Sequence, residues 1–171
     1  MNAIDALVEH ALVTDYVRLP AEAVEAAKTF IRDTLGVGIS GSRHPRIDEV
    51  KRAALGWGEG RQARVWATGE YLPAASAALV NAYQTHNQEF DCLHERAVVH
   101  AASTILPVLL AHAERHGACN GKALIAALAV GVDVATFIGM APRAPMRFFR
   151  PATCGGLGAA AALAKLADFD R

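Results

Sequence analysis

The residues that could do chemistry in this 171-residue sequence are concentrated in one short stretch, from His86 to His100. This stretch combines imidazole, carboxylate, amide and guanidinium groups: His86, Asn87, Gln88, Glu89, Asp91, His94, Glu95, Arg96 and His100. Ionisable groups gather here as nowhere else in the chain. The stretch is therefore the first candidate for an active site.

Acid–base catalysis is the chemistry that these residue types suit best. Asp91 and His94 are three residues apart, so their side chains would face the same way if that turn were helical. An imidazole positioned by a carboxylate is the most common proton carrier near neutral pH. His100 lies near the start of the next predicted helix, where backbone N–H groups favour a neutral imidazole or a bound carboxylate. We therefore expect His94 to carry protons, with the Asp91 carboxylate beside it to hold its tautomer or raise its pKa.

Two other interpretations of the stretch from His86 to His100 remain open on the residues alone. Asp, His and Glu are ordinary ligands of divalent metals, but their spacing here matches no specific metal motif, so we expect no metal. The charged side chains would instead simply face water if the stretch were a solvated loop between two helices.

Polar residues elsewhere in the chain are weaker candidates. Arg147 and Arg150 flank two phenylalanines, an arrangement that suits fixing a loop or holding a carboxylate, and the residues alone favour the structural role. Cys92 is either a reactive thiol beside the histidines or a small apolar filler, which is the more common role. His112 and His116 lack the glutamate of a metalloprotease motif, so we expect a surface pair.

Helices must position these residues, because the composition and the patterning both favour an all-α fold. Apolar residues make up 53% of the chain and aromatic residues only 6%, a balance that suits closely packed helices. Apolar side chains recur at helical spacing in most of the chain. The predicted helices are 2–16, 20–41, 47–55, 74–88, 100–116, 122–140 and a helix after Cys154. The only strand-like segment is 63–68, which is either an edge hairpin or merely extended. The small residues of that last helix predict close packing, since no strand precedes them as a phosphate-binding loop requires.

The bulk properties exclude several classes of protein. Seventeen basic and 17 acidic residues balance, so charge does not indicate a nucleic-acid or membrane partner. Three cysteines cannot all pair within one chain, and the N-terminus lacks the basic start and apolar run of a signal peptide. Asp133 and two glycines interrupt the most apolar stretch, 123–141, which we expect to be a core helix. We therefore expect one soluble, cytoplasmic domain.

The sequence also resembles a known family. Residues 81–94, NAYQTHNQEFDCLH, with the VVH that ends at His100 and the ILP that ends at Pro107, resemble the signature of the MmgE/PrpD family. Residues 147–153, RFFRPAT, and residues 30–36, FIRDTLG, fit as well. These matches span most of the chain in the right order. The family includes 2-methylcitrate dehydratase and cis-aconitate decarboxylase.

The resemblance implies a fold and an activity. It implies an all-α, multi-helix N-terminal domain over residues 1–171, without the smaller α/β C-terminal part of the enzyme, so that the chain is a truncated product or one part of a split protein. The active site would lie between the two parts, and the assembly would be a homodimer. The chemistry would be removal of water or carbon dioxide from a small di- or tricarboxylate, with no required cofactor. A catalytically silent helical oligomerisation module is the alternative.

Residue roles also follow from the resemblance. Asp91, His94 and His100 fall on the family's catalytic loop, where one histidine would transfer a proton at a carbon beside a carboxylate and Asp91 would orient it. Arg150 stands where many members carry a histidine; arginine binds carboxylates but is a poor proton donor. The chain also departs from many members at Cys92, where they have a second aspartate, and at Ala101, where they have proline. The residues expected to bind the substrate are His86, Arg150 and Thr153.

Overall fold

The computed structural model describes residues 2–117, 119–143 and 148–170 of the chain. Within these ranges the chain forms seven α-helices and one small antiparallel sheet. The helices are α1 (Ala3–Val13), α2 (Ala21–Gly41), α3 (Ile47–Leu55), α4 (Ala74–His86), α5 (Ala101–Arg115), α6 (Gly121–Met140) and α7 (Arg150–Leu166). The strands are β1 (Ala63–Arg64) and β2 (Tyr71–Leu72). The predicted all-α class is confirmed.

Local sequence signals begin several of these helices. The Asn2 side chain accepts a hydrogen bond from the Asp5 backbone N–H at 2.8 Å, and the Asp5 carboxylate accepts one from the Asn2 N–H, which forms a capping box on α1. Pro20 and Pro73 occupy the N-cap positions of α2 and α4. Asn120 caps α6 by accepting from the Lys122 N–H.

The strand-like segment 63–68 forms a strand only over its first two residues. β1 pairs with β2 in an antiparallel hairpin, which was one of the two possibilities for this segment, so that Ala63 lies opposite Leu72. The chain reverses between them at Ala67 and Gly69, which both have positive φ angles. The Asn81 side chain on α4 donates a hydrogen bond to the Arg64 carbonyl in β1 and accepts one from the Trp66 N–H. These two bonds attach the hairpin to the helices.

Helix α5 lies at the centre of the domain and contacts α2, α4, α6 and α7. Its Ile105, Leu106 and Leu109 side chains are fully buried, and Pro107 is buried within the same helix. Burial of most of its residues fixes the direction of α5. His100, the N-cap residue of α5, is therefore held in place by the hydrophobic core.

Close packing of α6 against α7 confirms the expectation drawn from the small residues of α7. A Cβ atom on Gly158 would lie 2.5 Å from the backbone oxygen of Gly131, so only glycine allows this approach. By length and composition α6 is the one helix in the described ranges that could cross a membrane. Much of its apolar surface is instead buried inside the domain, as expected for a core helix.

Candidate active site

The stretch from His86 to His100 is an irregular loop that joins α4 to α5. His86 is the last residue of α4, and His100 is the N-cap residue of α5. Glu89 and Val98 both have positive φ angles, 53° and 54°, where the chain changes direction. These turns bring the two histidines together, with ring centroids 4.8 Å apart in an edge-to-face arrangement.

The hydrophobic core anchors this loop, although most of its residues are polar. Ala97 and Val99 are buried, and they pack against α6 at Gly139. A Cβ atom on Gly139 would lie 2.9 Å from the backbone oxygen of Ala97, so the glycine lets the loop approach the helix closely. The Asp91 side chain is only 1% exposed. The interpretation of the stretch as a simple solvated loop therefore fails at Asp91, although Glu89, His94, Glu95 and Arg96 are exposed to water.

The Asp91 carboxylate is the centre of the polar cluster. His86 Nδ1 lies 3.2 Å from Asp91 Oδ1 and 3.1 Å from Oδ2. His100 Nδ1 lies 3.2 Å from the same Oδ2, an ion-pair distance, although its direction is not that of a hydrogen bond. The Ser103 hydroxyl, in the first turn of α5, donates a hydrogen bond to Oδ2. One buried carboxylate thus lies within about 3.2 Å of Nδ1 in each of two imidazoles.

The His86–Asp91–His100 arrangement suits proton transfer. A carboxylate at the Nδ1 side of an imidazole fixes its orientation and leaves Nε2 available to take or give a proton. The side chains of His86 and His100 are 33% and 14% exposed, so both are accessible to a small molecule while their orientation is restricted.

A cavity of about 410 Å³ opens beside the two histidines. Its lining residues are His86, Glu89, Val98, His100, Phe148, Phe149, Arg150 and Pro151. A second cavity, of about 270 Å³, shares both histidines and reaches Ser103. Arg150 is the first residue of α7, so the start of that helix brings a cationic side chain to the same space as the imidazoles. The combination suits a small anionic ligand.

Comparison with known proteins identifies the family of this chain. The MmgE/PrpD N-terminal domain matches residues 5–171. The chain belongs to the MmgE/PrpD family. Its curated relatives include cis-aconitate decarboxylase of Mus musculus, 31% identical over 150 residues, which are 83% of this chain and 30% of the mouse protein. A cis-aconitate decarboxylase of Aspergillus terreus is 30% identical over 127 residues, 72% of this chain and 26% of that protein. The chain therefore spans less than a third of the length of these relatives.

His94 lies apart from the polar cluster of this MmgE/PrpD domain. The turn from Asp91 to His94 is not helical, because His94 forms a β-bridge with Val99 that draws its backbone away. The His94 ring accepts a hydrogen bond from the Ala97 N–H at 3.1 Å. It lines a separate, largely apolar cavity of about 270 Å³ that also contains Cys92. The expectation that Asp91 orients His94 is wrong, since the Asp91 carboxylate contacts His86 and His100.

Three other residues singled out in the sequence also have defined outcomes. Thr153 is exposed, and its hydroxyl donates a hydrogen bond to the Phe149 carbonyl at 3.2 Å. Thr153 is not among the described residues that line the two cavities beside His100. Arg147 lies outside the described residues. Burial raises the pKa of the Cys92 thiol, which disfavours the reactive thiolate and fits an apolar filler.

Ser103 is the residue of the polar cluster around Asp91 that the sequence did not indicate. It follows His100 by three residues, so the two side chains share one face of the first turn of α5. This three-residue spacing was the feature of the sequence that could have indicated Ser103. It was not specific, because a serine in a first helical turn most often bonds the local backbone.

Proposed function

We propose that this domain supplies the acid–base part of the active site of a lyase that acts on small di- or tricarboxylates by dehydration or decarboxylation. The observation that carries the proposal is the buried Asp91 carboxylate shared by His86 and His100 at the wall of a cavity that also contains Arg150. The names of the relatives, cis-aconitate decarboxylases, support this chemistry.

Arg150 would hold the substrate. A guanidinium group binds a carboxylate through two parallel hydrogen bonds, and the N-terminus of α7 adds favourable backbone dipoles. Phe148 and Phe149 line the same cavity and offer an apolar surface to the carbon skeleton of the acid. Because the matched relatives are much longer, we propose that the rest of the enzyme supplies the remaining substrate contacts and completes a homodimer.

The histidines would move the protons. In a dehydration, one neutral imidazole takes a proton from the carbon beside a carboxylate, the electron pair forms the C=C bond, and the leaving hydroxide takes a proton from the second ring, which is an imidazolium and becomes a neutral imidazole. In a decarboxylation, the C–C bond electrons stay on carbon as CO₂ leaves, and that carbon takes a proton from an imidazolium. We assign these transfers to His100 and His86, with Asp91 orienting both rings.

Thermal unfolding of the chain with citrate, 2-methylcitrate and cis-aconitate tests ligand binding. A ligand at about 100 times its Kd stabilises the native state by about 2.7 kcal/mol, so at least one of these acids should raise Tm. The variant R150M should lose that rise. The variant R115M is the control, because Arg115 is an exposed cation at the opposite end of α5 and should leave the rise intact. No rise with any acid favours the silent oligomerisation module.

A further inference from the structure

We propose that His86 carries the positive charge of the His86–His100 pair and is therefore its proton donor, with Glu89 as a positioning residue that helps to hold this charge on His86. The assignment of the charge stands on the geometry of the loop. Its catalytic consequence rests on the function proposed above, because a dehydration needs one ring that gives a proton and one that takes a proton.

The two imidazoles lie too close together to be charged independently. Their ring centroids are 4.8 Å apart. Like charges at this separation disfavour each other, so the first proton that charges the pair hinders the second. Arg150 of α7 lines the same cavity and, as a cation, opposes a charge on either ring. The pair therefore holds one positive charge before it holds two, and the groups around each ring decide which ring is charged.

His86 has a carboxylate beside each of its ring nitrogens. Nδ1 lies 3.2 and 3.1 Å from the two oxygens of Asp91. Nε2 lies 3.4 Å from Oε1 of Glu89, an ion-pair distance. An imidazolium is a donor at both nitrogens, whereas a neutral imidazole has one donor and one acceptor. Two ionised carboxylates only accept, so they suit the charged form of this ring.

The surroundings of His100 favour a charge less strongly. Asp91 Oδ2 lies 3.2 Å from its Nδ1, but not in the direction of a hydrogen bond, and Ser103 already donates to that oxygen. His100 is also the N-cap residue of α5, where the backbone N–H groups at the start of a helix disfavour an added positive charge. His100 is therefore the neutral ring of the pair, which takes the proton from carbon in a dehydration.

Glu89 distinguishes the two rings by distance. Its carboxylate lies 3.4 Å from a nitrogen of His86, whereas it lies within 4.8 Å of a nitrogen of His100 without an ion pair between them. Coulomb attraction weakens with distance, so the nearer ring gains more. The Glu89 side chain is 73% exposed, and water screens its charge, so this contribution is modest. The buried Asp91 supplies the rest of the preference.

The test measures the order in which the two rings become charged in the ¹⁵N-labelled 171-residue chain. Long-range ¹H–¹⁵N spectra report the protonation of each imidazole as the pH is lowered from about 8 to about 5, a range that brackets an ordinary histidine. We expect His86 to become charged at a higher pH than His100. The variant E89Q should lower the pH at which His86 becomes charged by about 0.2–0.7 of a unit, the effect of losing one exposed ion pair.

The matched control is E95Q. Glu95 is an exposed residue of the same loop, and it is not one of the ion-pair partners of His86 in the described part of the chain. E95Q removes the same formal charge and should leave the protonation of His86 unchanged. Circular dichroism checks that both variants fold, which is expected because both substitutions lie at exposed loop positions.

The proposal is overturned if His100 becomes charged before His86, or if E89Q and E95Q give the same result for His86. Either outcome concerns only the division of roles between the rings, and the acid–base site could still act with the roles exchanged. Failure of the proposed lyase function gives a different result, since His86 would then be charged first in a protein that turns over none of the acids.

Discussion

His86 Nδ1 lies 3.1 and 3.2 Å from the two carboxylate oxygens of Asp91, although the two residues are five apart in sequence. Neither helical nor strand periodicity brings such a pair together. They meet because α4 ends at His86 and the chain reverses at Glu89, which has a positive φ angle. The contact makes His86, together with His100, the partner of the buried carboxylate.

The hydroxyl of Ser103 should contribute measurably to stability, because it bonds a buried carboxylate oxygen. Replacing a donor to a buried charged group leaves that group unsatisfied, and the variant S103A should lower the free energy of unfolding by about 1–3 kcal/mol. Urea unfolding measures this loss. The control is S42A, whose exposed hydroxyl bonds a carbonyl in its own helix end and whose loss should cost less than about 0.5 kcal/mol. Equal stabilities of S103A and S42A would count against the buried contact.

Helix positions and the fold class could be predicted from the sequence, whereas the pairing of side chains in the loop could not. Apolar periodicity, Pro20 and Pro73 located the helices, since these signals act within one or two turns. The interaction of Asp91 with His94 was predicted from helical spacing, and it failed because the β-bridge between His94 and Val99 replaces that turn. Such a bridge depends on burial of Val99 in the core, which is a tertiary contact that local patterns do not report.

The glycines of α7 should respond oppositely to alanine. G158A would place a Cβ atom 2.5 Å from the Gly131 backbone oxygen and force α6 and α7 apart, at a cost of about 1–3 kcal/mol. G156A is the matched control on the same helix, because nothing lies within 4 Å of its new Cβ atom. It should stabilise the domain by up to about 1 kcal/mol through helix propensity. Chemical denaturation of both variants measures the difference, and a G158A variant as stable as G156A would contradict the close packing.

The ion pair between Lys51 and Glu70 should make a pH-dependent contribution to stability. Lys51 Nζ lies 2.6 Å from Glu70 Oε2, and its hydrogen bond holds the pKa of Glu70 below the usual 4.5. A carboxyl whose pKa is lower in the folded state stabilises that state above its unfolded pKa, and loses this effect as the pH falls through the folded pKa.

The variant K51M tests this pH dependence. Because Glu70 is largely exposed, K51M should cost only about 0.2–1 kcal/mol at neutral pH. That cost should shrink as the pH is lowered towards 3 and falls through the lowered pKa of Glu70, because the carboxyl group is then progressively protonated. Urea unfolding at both pH values gives the two differences. A cost that stays constant or grows on acidification would rule out the ion pair as its source.

Turnover by the complete gene product that contains this chain, compared between H100Q and H94Q, most directly tests the proposed acid–base site. Both variants replace a loop histidine, but only His100 contacts the Asp91 carboxylate and lines the cavity with Arg150. For whichever of citrate, 2-methylcitrate and cis-aconitate the unaltered protein turns over, H100Q should lower kcat on the order of 10²–10⁴-fold. H94Q should change it by less than about tenfold. Loss of turnover in H94Q, with turnover retained in H100Q, would contradict the proposed site.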